Sequence, residues 1–295
     1  MALINYPLRS AIALLLVGLL AIMAAPAPAG ADGVPSTDVL CSSVWNPAYA
    51  VYMTAAMTRA KVASEGVTIG FFDRKTETTC FTDPSRQFQT ASIVKVIVAV
   101  ALQLRAQEEG RDLSDHERDL AGAMIIESNN NATSELWRQL HTESPYVSSA
   151  ILVTNMTNTH PGPNGFFGTT TTTASDQINL LKFLTSPYEA ALDLERRDYI
   201  LELMSRVTLL HRYGVPVGAP FGTTWSNKIG YANLDDNVFD FTTHSIGAVR
   251  GTAWNSAQHD YVMALLSNQN FWFTGTLRVS RAAYEINRAN DAFSG

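Results

Sequence analysis

ASIVKVIVAVALQLRAQ, residues Ala91–Gln107, is apolar on almost every side. Its Val and Ile residues favour strands, but the segment is too long for an ordinary strand. A helix that is apolar all round is normally buried at the centre of a domain. We therefore predict a central helix here, with the other elements packed around it.

The elements on either side of this helix predict the fold class. Helical patterns lie at 47–64, 115–126, 131–140, 177–184, 195–210 and about 274–292. Strand candidates are Val67–Phe72, Thr78–Thr82, Thr223–Ile229, Phe239–Val249 and Tyr261–Ser267. Because strands stand at both ends of the chain, we predict an α+β fold. One antiparallel sheet is flanked by helices, and an all-α lobe is inserted between its strands.

Local signals set the expected boundaries of these parts. The α/β part covers about 40–90 and 215–295, and the all-α part covers about 91–214. Residues 32–40 are expected to form a short disordered lead-in. The threonine run Thr169–Thr173 suits extended chain, and Ser175 or Asp176 is the expected cap of the helix that follows.

Composition excludes several classes of protein. The chain has 295 residues, of which 46% are hydrophobic and 16% charged, with a formal net charge of −6. These values exclude a disordered chain. The acidic balance and the absence of a Lys/Arg run exclude a basic nucleic-acid binder. Without a CxxC, a Cys/His or an H-x-x-x-H spacing, we expect no metal and no cofactor.

The N-terminus has the pattern of a secretory signal peptide. Arg9 precedes the apolar run Ala11–Ala25, and Ala29-Gly30-Ala31 provides small residues for cleavage. The alternative is an uncleaved anchor, but the run is shorter than the ~20 residues of a spanning helix. We expect cleavage near Ala31, a secreted domain at 32–295, no stable membrane insertion and a monomer.

Export allows a disulfide. Cys41 and Cys80 are the only cysteines, so one intramolecular pairing is possible. The alternative is a pair of buried thiols.

Ser92-Ile93-Val94-Lys95 is the first motif with chemical potential. On a helix, Lys95 lies on the same face as the Ser92 hydroxyl. A lysine in apolar surroundings holds its proton less tightly and can act as the base that activates serine. The Ser92 amide, at the start of the helix, is a candidate oxyanion donor. The alternative is an N-cap serine with a lysine that reaches to solvent.

Two other motifs could complete a site. Ser128-Asn129-Asn130 offers a hydroxyl for a proton relay and an amide that could hold a substrate. Lys228-Ile229-Gly230 places a lysine on a strand, where it could bind an anion or tune the hydroxyls. Gly230 permits close approach of a ligand, and the Tyr231 amide is a second candidate oxyanion donor. Taken alone, a Ser/Asn cluster is usually a turn or a cap.

In this order, S-x-x-K, S-x-N and K-x-G are the signature of class A β-lactamases and penicillin-binding proteins, and the sequence resembles a divergent member of that superfamily. VTIGFFDRKTETTCFTDPSRQFQTASIVKV (67–96) resembles the family's opening hairpin and serine helix. RYGVPVGAPFGTTWSNKIG (212–230) resembles its approach to the last motif. The resemblance implies a β-lactamase/transpeptidase-like fold over roughly residues 45–290.

The resemblance also implies a role for each motif residue. Ser92 would be the acylated nucleophile and Lys95 a proton acceptor. Ser128, beside Lys228, would pass the proton to the leaving nitrogen, and Asn130 would contact the substrate's amide. The oxyanion would lie between the amides of Ser92 and Tyr231.

Two positions depart from the family pattern. Ile229 replaces a Thr or Ser whose hydroxyl binds a substrate carboxylate, and His244 is the candidate replacement if it is protonated. The family's deacylating glutamate is missing, because 153–174 contains no Glu or Asp. His160 is the titratable candidate to replace that glutamate, and the alternative for His160 is a turn.

These observations leave several functions open. The leading hypothesis is an exported serine hydrolase acylated on Ser92, with a β-lactam or a peptidoglycan-like peptide as substrate and slow deacylation. The alternatives are a penicillin-binding or carboxypeptidase-type enzyme, an esterase, and a non-catalytic cell-wall or ligand-binding descendant of the fold.

Overall fold

A six-stranded sheet organises the computed structural model, which describes residues 39–162, 165–233, 241–251 and 259–294. The strand order is β1-β3-β2-β8-β7-β6, and every adjacent pair is antiparallel. The strands are β1 (Val39–Ser43), β2 (Thr68–Asp73), β3 (Thr78–Thr82), β6 (Thr223–Asn233), β7 (Phe241–Gly251) and β8 (Asp260–Asn270). A separate two-stranded ribbon joins β4 (Phe88–Gln89) to β5 (Thr171–Thr172).

Helices cover both faces of the sheet. Those in the described part of the chain are α1 (Pro47–Ala63), α2 (Val94–Glu108), α3 (Asp115–Ile126), α4 (Asn130–Trp137), α5 (Tyr146–Val153), α6 (Ala174–Thr185), α7 (Leu194–Ser205) and α8 (Trp272–Ser294). The predicted α+β class is confirmed, since strands from both ends of the chain form one antiparallel sheet around the inserted helices. Within the described ranges, no helix is both long enough and apolar enough to cross a membrane.

Strand β8 shows how the sheet is buried on both faces. Its side chains alternate between two hydrophobic clusters, as the two-residue period of a strand requires. Val262, Ala264 and Leu266 belong to the larger cluster, which contains α2 and α6. Met263 and Leu265 belong to the smaller one, which contains α1 and α8. The uninterrupted apolar run in β8 follows from this double burial.

The central helix α2 is enclosed as predicted. Residues Val94 to Gln103 are all buried, including Lys95. Burial on every side outweighs the modest helix propensity of the Val and Ile residues. Strand β2 and helix α6 approach each other closely at Gly70. A Cβ added to Gly70 would lie 2.8 Å from Ile178 Cγ1 and 3.2 Å from the Ala174 carbonyl oxygen. Glycine at this position lets α6 pack directly on β2.

Several predicted boundaries are wrong. Residues 39–40 belong to β1, which extends the sheet beside β3, and not to a disordered lead-in. Thr173, not Ser175 or Asp176, caps α6 by accepting a hydrogen bond from the Asp176 amide. The pattern at 195–210 covers α7 only to Ser205, after which Leu209–His211 forms a 3-10 turn. The predicted signal peptide and residues 239–240 lie outside the described residues.

The two cysteines are joined. Cys41 on β1 faces Cys80 on β3 in the strand register, and their sulfur atoms form a disulfide. The bond ties the edge strand to its neighbour.

Asp176 anchors the long connection before α6. Its side chain is buried and accepts hydrogen bonds from the Asn158 amide at 2.8 Å and the Thr159 hydroxyl at 2.7 Å. Thr159 also lies 2.8 Å from the Thr172 hydroxyl. The carboxylate therefore holds residues 158–159 against the start of α6.

Replacing Asp176 by alanine should destabilise the protein by about 2–3 kcal/mol, because it leaves a buried hydroxyl and a backbone amide without their acceptor. Urea unfolding measures the change. Asp119→Ala is the control, since Asp119 is exposed on α3 and should change stability by less than about 0.5 kcal/mol. Equal effects of Asp176→Ala and Asp119→Ala would contradict the anchoring role.

Candidate active site

Ser92 lies on a tight turn that joins β4 to α2. Ala91–Ile93 forms a 3-10 turn, and Ala91 adopts the left-handed conformation with φ 45°. The turn is fixed from outside by the Thr90 amide, which donates to the Thr170 carbonyl at 2.7 Å. Ser92 itself is half-buried, between two buried neighbours. A non-glycine residue in the left-handed region costs energy, and such residues gather at functional sites.

Lys95 is the centre of the candidate site. Its Nζ lies 2.9 Å from Ser92 Oγ and 3.0 Å from Ser128 Oγ. It also donates to the Ser128 carbonyl at 2.6 Å and to Asn130 Oδ1 at 2.8 Å. Four oxygens therefore surround an amine that carries at most three hydrogens. The first two predicted motifs meet at this one nitrogen.

Ser128 is presented by the sharp connection between α3 and α4. The residue has φ 59°, a left-handed conformation that is uncommon for serine. The next residue, Asn129, caps α4 by accepting a hydrogen bond from the Ala132 amide at 3.0 Å. The cap fixes where α4 begins, and the left-handed turn directs Ser128 towards Lys95.

Lys228 approaches Ser128 from the sheet. It is fully buried on β6, and its Nζ lies 2.9 Å from Ser128 Oγ and 3.3 Å from the Ile229 carbonyl oxygen. The preceding residue, Asn227, is held by two contacts. Its amide donates to the His211 carbonyl at 2.8 Å, and its Oδ1 accepts from the Ser245 hydroxyl at 2.7 Å. The third motif thus joins the other two at the Ser128 hydroxyl.

Burial weakens the positive charge on both lysines. It lowers the pKa of Lys95 to about 8. It lowers the pKa of Lys228 well below its ordinary value, and the nearby Lys95 lowers it further. No carboxylate of the described residues raises either value. At neutral pH, a usable fraction of Lys95 is therefore the free amine that can accept a proton.

The backbone carbonyl of Ile229 and the backbone amide of Tyr231 lie on the same side of β6. The Ile229 carbonyl accepts from Lys228 Nζ, so it faces the site. Because strand backbone groups alternate with a period of two residues, the Tyr231 amide points in the same direction. The pairing of the Ser92 and Tyr231 amides as an oxyanion site stays a prediction.

Gly230 makes room for the protein's own backbone. A Cβ added there would lie 2.8 Å from the Thr90 carbonyl oxygen and 3.1 Å from His244 Cδ2. The glycine therefore lets β6 pass directly beside the turn that carries Ser92. This reason for glycine differs from the predicted close approach of a ligand.

His244 does not offer a charge to a substrate carboxylate in this structure. The ring is fully buried, its Nε2 lies 2.8 Å from the Gln89 carbonyl, and its Nδ1 accepts from the Ser267 amide at 3.2 Å. Burial lowers its pKa to about 4, so the ring is neutral at physiological pH. Both nitrogens are used in joining β7 to β4 and β8, so neither is free for the predicted carboxylate contact.

The connection at 153–173 brings an aromatic ring to the site in place of an acid. The Phe167 ring centroid lies 5.7 Å from Lys95 Nζ. His160, the predicted replacement base, is exposed and pairs through its backbone with Thr171. Phe167 was missed by sequence reasoning, since nothing in GPNGFFG indicates which residue turns towards Lys95.

His211 and Asn227 were also missed. His211 is half-buried in the 3-10 turn before β6, and burial together with Lys228 and Lys95 lowers its pKa. Its position could not be read from the sequence, because it depends on how residues 206–222 return to the sheet.

Comparisons with known proteins agree with this architecture. A family model described as "Beta-lactamase enzyme family" matches residues 116–285, which include Ser128 and Lys228 and begin after Lys95. No curated protein sequence matches the chain.

Solved structures show the same fold at low sequence identity. PBP-A is 18% identical and has a TM-score of 0.66, over 80% of this chain and 96% of its own. The β-lactamase from Sphaerobacter thermophilus DSM 20745 is 18% identical, with a TM-score of 0.62, over 83% of this chain and 97% of its own.

A third structure is a Leu-to-Glu variant of PBP-A, described as an acyl-enzyme complex with penicillin G, with 18% identity and a TM-score of 0.65 over 80% of this chain and 96% of its own. At these identities the likeness establishes the fold alone. The family model covers more than half of the 295 residues. The chain therefore belongs to the β-lactamase enzyme family.

Proposed function

We propose that the protein is an exported serine hydrolase in which Ser92 is acylated by β-lactams or by related amide and ester substrates, and in which the acyl group is released slowly. One observation carries the proposal: a single buried amine, Lys95 Nζ, lies within 3.0 Å of both the Ser92 and the Ser128 hydroxyl oxygens. A protein that had lost its catalytic activity would have no need to keep the contacts of Lys95 with the two serine hydroxyls.

The contacts of Lys95 and Ser128 account for each proton transfer in the acylation of Ser92. Neutral Lys95 accepts the Ser92 proton while Ser92 Oγ forms a bond to the substrate carbonyl carbon. The carbon–nitrogen bond then breaks. The proton passes from Lys95 through the Ser128 hydroxyl to the leaving nitrogen, and the acyl group stays on Ser92 as an ester. Lys228, 2.9 Å from Ser128 Oγ, orients that hydroxyl for the transfer.

Slow release follows from what lies against Lys95. Hydrolysis of the ester needs a base that activates water. The connection at 153–174 contains no Glu or Asp, and the side chain that it places over Lys95 is Phe167. An acyl-enzyme that forms readily and persists is the behaviour of a penicillin-binding protein rather than of an efficient β-lactamase.

Location outside the cytoplasm is part of the proposal. It is supported by the apolar run Ala11–Ala25 with small residues at 29–31, and by the disulfide between Cys41 and Cys80, which forms in oxidising compartments.

Intact-mass spectrometry of the protein mixed with penicillin G tests the proposal. We expect an adduct of one penicillin per chain that maps to Ser92 and persists for many minutes. The Ser92→Ala variant should give no adduct. Absence of an adduct on the unaltered protein at any time would contradict acylation by β-lactams and favour a non-catalytic binding role.

The rate of this acylation should depend on pH through Lys95. The neutral amine is the reactive form, and its pKa is about 8. Below pH 8 the rate should therefore rise by roughly tenfold per pH unit, and above it the rate should level off. Quenched-flow mass spectrometry between pH 6 and pH 9 measures the profile.

Lys182→Met provides the control for that profile, since Lys182 lies away from the site with its Nζ 4.2 Å from the Phe72 ring centroid. Its profile should match that of the unaltered protein. A rate independent of pH over this range would exclude Lys95 as the base.

A carboxylate placed at residue 167 should shorten the life of the acyl-enzyme. Phe167→Glu would put a potential base against Lys95, so release of the penicilloyl group should accelerate at least about tenfold. The same charge should raise the pKa of Lys95 and move the acylation profile to higher pH. Phe167→Gln, which has similar size without the charge, should leave the adduct persistent. Equal adduct lifetimes in the two variants would contradict the assignment.

A further inference from the structure

The buried ring of His244 on β7 contacts the strand that leads into the serine turn, Ala91–Ile93. We propose that His244 is a positioning residue for Ser92, which it holds in place through the Gln89 carbonyl on β4. This inference rests on the proposed acylation of Ser92 and names a further residue on which the rate of that step depends.

The two ring nitrogens of His244 have different partners. A neutral imidazole carries one N–H donor and one acceptor nitrogen. The Ser267 amide donates to Nδ1 at 3.2 Å, so the ring hydrogen lies on Nε2. Nε2 therefore donates to the Gln89 carbonyl, 2.8 Å away. Burial lowers the pKa of His244 to about 4, which keeps the ring in this neutral form at physiological pH.

Strand β4 is held from its other side by β5. Phe88 lies opposite Thr172 in the register, and the Thr90 amide donates to the Thr170 carbonyl at 2.7 Å. In an antiparallel pair, hydrogen-bonded residues alternate with residues whose backbone groups point away from the partner strand. The Gln89 carbonyl therefore points away from β5, and the His244 ring supplies its donor. Strand β4 is thus fixed on both sides just before the serine turn.

The ring, the serine turn and β6 meet at one point. His244 lies opposite Gly230 in the strand register. A Cβ added to Gly230 would lie 2.8 Å from the Thr90 carbonyl oxygen and 3.1 Å from His244 Cδ2. The Thr90 hydroxyl is buried and has no partner among the described residues, so the Thr90 side chain adds no polar anchor to the turn. The hydrogen bond from His244 supplies a polar anchor three residues before Ser92.

The ring itself has little freedom to move. It is fully buried, and Phe88 packs against it edge to face, with ring centroids 5.8 Å apart. Its Nδ1 contact with the Ser267 amide fixes the ring angle, so the position of Nε2 is set by β8. Loss of the Nε2 contact would let β4 shift and change the approach of Ser92 Oγ to Lys95 Nζ, now 2.9 Å. A nucleophile misplaced by about 1 Å can react about a hundredfold more slowly.

Two substitutions separate the two ring nitrogens. The amide nitrogen of glutamine can take the place of Nε2, so His244→Gln keeps the donor to the Gln89 carbonyl and loses the acceptor of the Ser267 amide. The amide oxygen of asparagine can take the place of Nδ1, so His244→Asn keeps that acceptor and loses the donor. Each variant loses one buried hydrogen bond, so both should be destabilised to a similar degree.

Intact-mass spectrometry with saturating penicillin G at one fixed pH measures two quantities, the fraction of chains that become labelled and the acylation rate of that fraction. We expect His244→Asn to be acylated at least about tenfold more slowly than the unaltered protein, and His244→Gln within about threefold of it. A role in stability alone would lower the labelled fraction in both variants and leave the rate unchanged.

A third variant covers the case in which His244→Asn does not fold, which circular dichroism detects. Phe88→Leu loosens the ring without removing either of its hydrogen bonds and should slow acylation several-fold. A rate equal to that of the unaltered protein would then overturn the inference.

Failure of the inference and failure of the proposed function give different results. If the unaltered protein is labelled and His244→Asn reacts as fast as His244→Gln or faster, acylation stands and the positioning role is wrong. If penicillin G does not label the unaltered protein, the proposed function and the inference both fall.

Discussion

The lysine amine at the start of the central helix is the constraint on which the site depends. Lys95 has no carboxylate to balance its charge among the described residues, and its hydrogens are shared among oxygens of three residues from two segments of the chain. A buried amine is tolerable only if its hydrogen bonds are satisfied. Ser92, Ser128 and Asn130 must therefore all be held in place for the helix to remain packed. Stability of the helix and reactivity of the serine thus require the same arrangement.

The helical lobe and the sheet each supply residues that surround Lys95 and Ser92. The helical lobe supplies the turn between α3 and α4, where a left-handed serine points inward. The sheet supplies Lys228 from its edge strand and brings that strand beside the serine turn at Gly230. The two hydrophobic clusters lie on opposite faces of the sheet, so the strand and the helix are each fixed independently. The site forms where the two layers meet.

Much of this could be predicted from local signals. The bounds of α3 follow from its capping box at Ser114 and Glu117, and β3 follows from its alternating pattern. The central helix follows from its apolar length. What could not be predicted depends on distant partners. Strand β1 exists because β3 offers it an edge, and VLCSS has no strong strand pattern of its own.

The candidate site was predictable to a similar degree. The serines and lysines could be identified because their spacing carries the chemistry, and the structure brings all four together. The surroundings could not. Whether His244 is a free cation or a neutral link between strands depends on the Gln89 carbonyl, which lies far away in sequence. Likewise, the position of Phe167 near Lys95 depends on contacts between segments that are far apart in the sequence, such as the hydrogen bond from the Thr90 amide to the Thr170 carbonyl.

The disulfide has a consequence for handling the protein. Strand β1 is a short outer strand, and Leu40 on it and Trp45 just beyond it are 60% and 70% exposed. If the bond between Cys41 and Cys80 were reduced, β1 would lose its covalent tie and keep the backbone ladder, the burial of Val39 and the Ser43 hydrogen bond to the Thr76 carbonyl. Its detachment would leave the hydrogen-bonding groups of β3 open to pairing with another molecule. The disulfide therefore keeps the edge of β3 covered and opposes polymerisation. Protein prepared in a reducing cell interior would lack this bond and would be the most prone to aggregate.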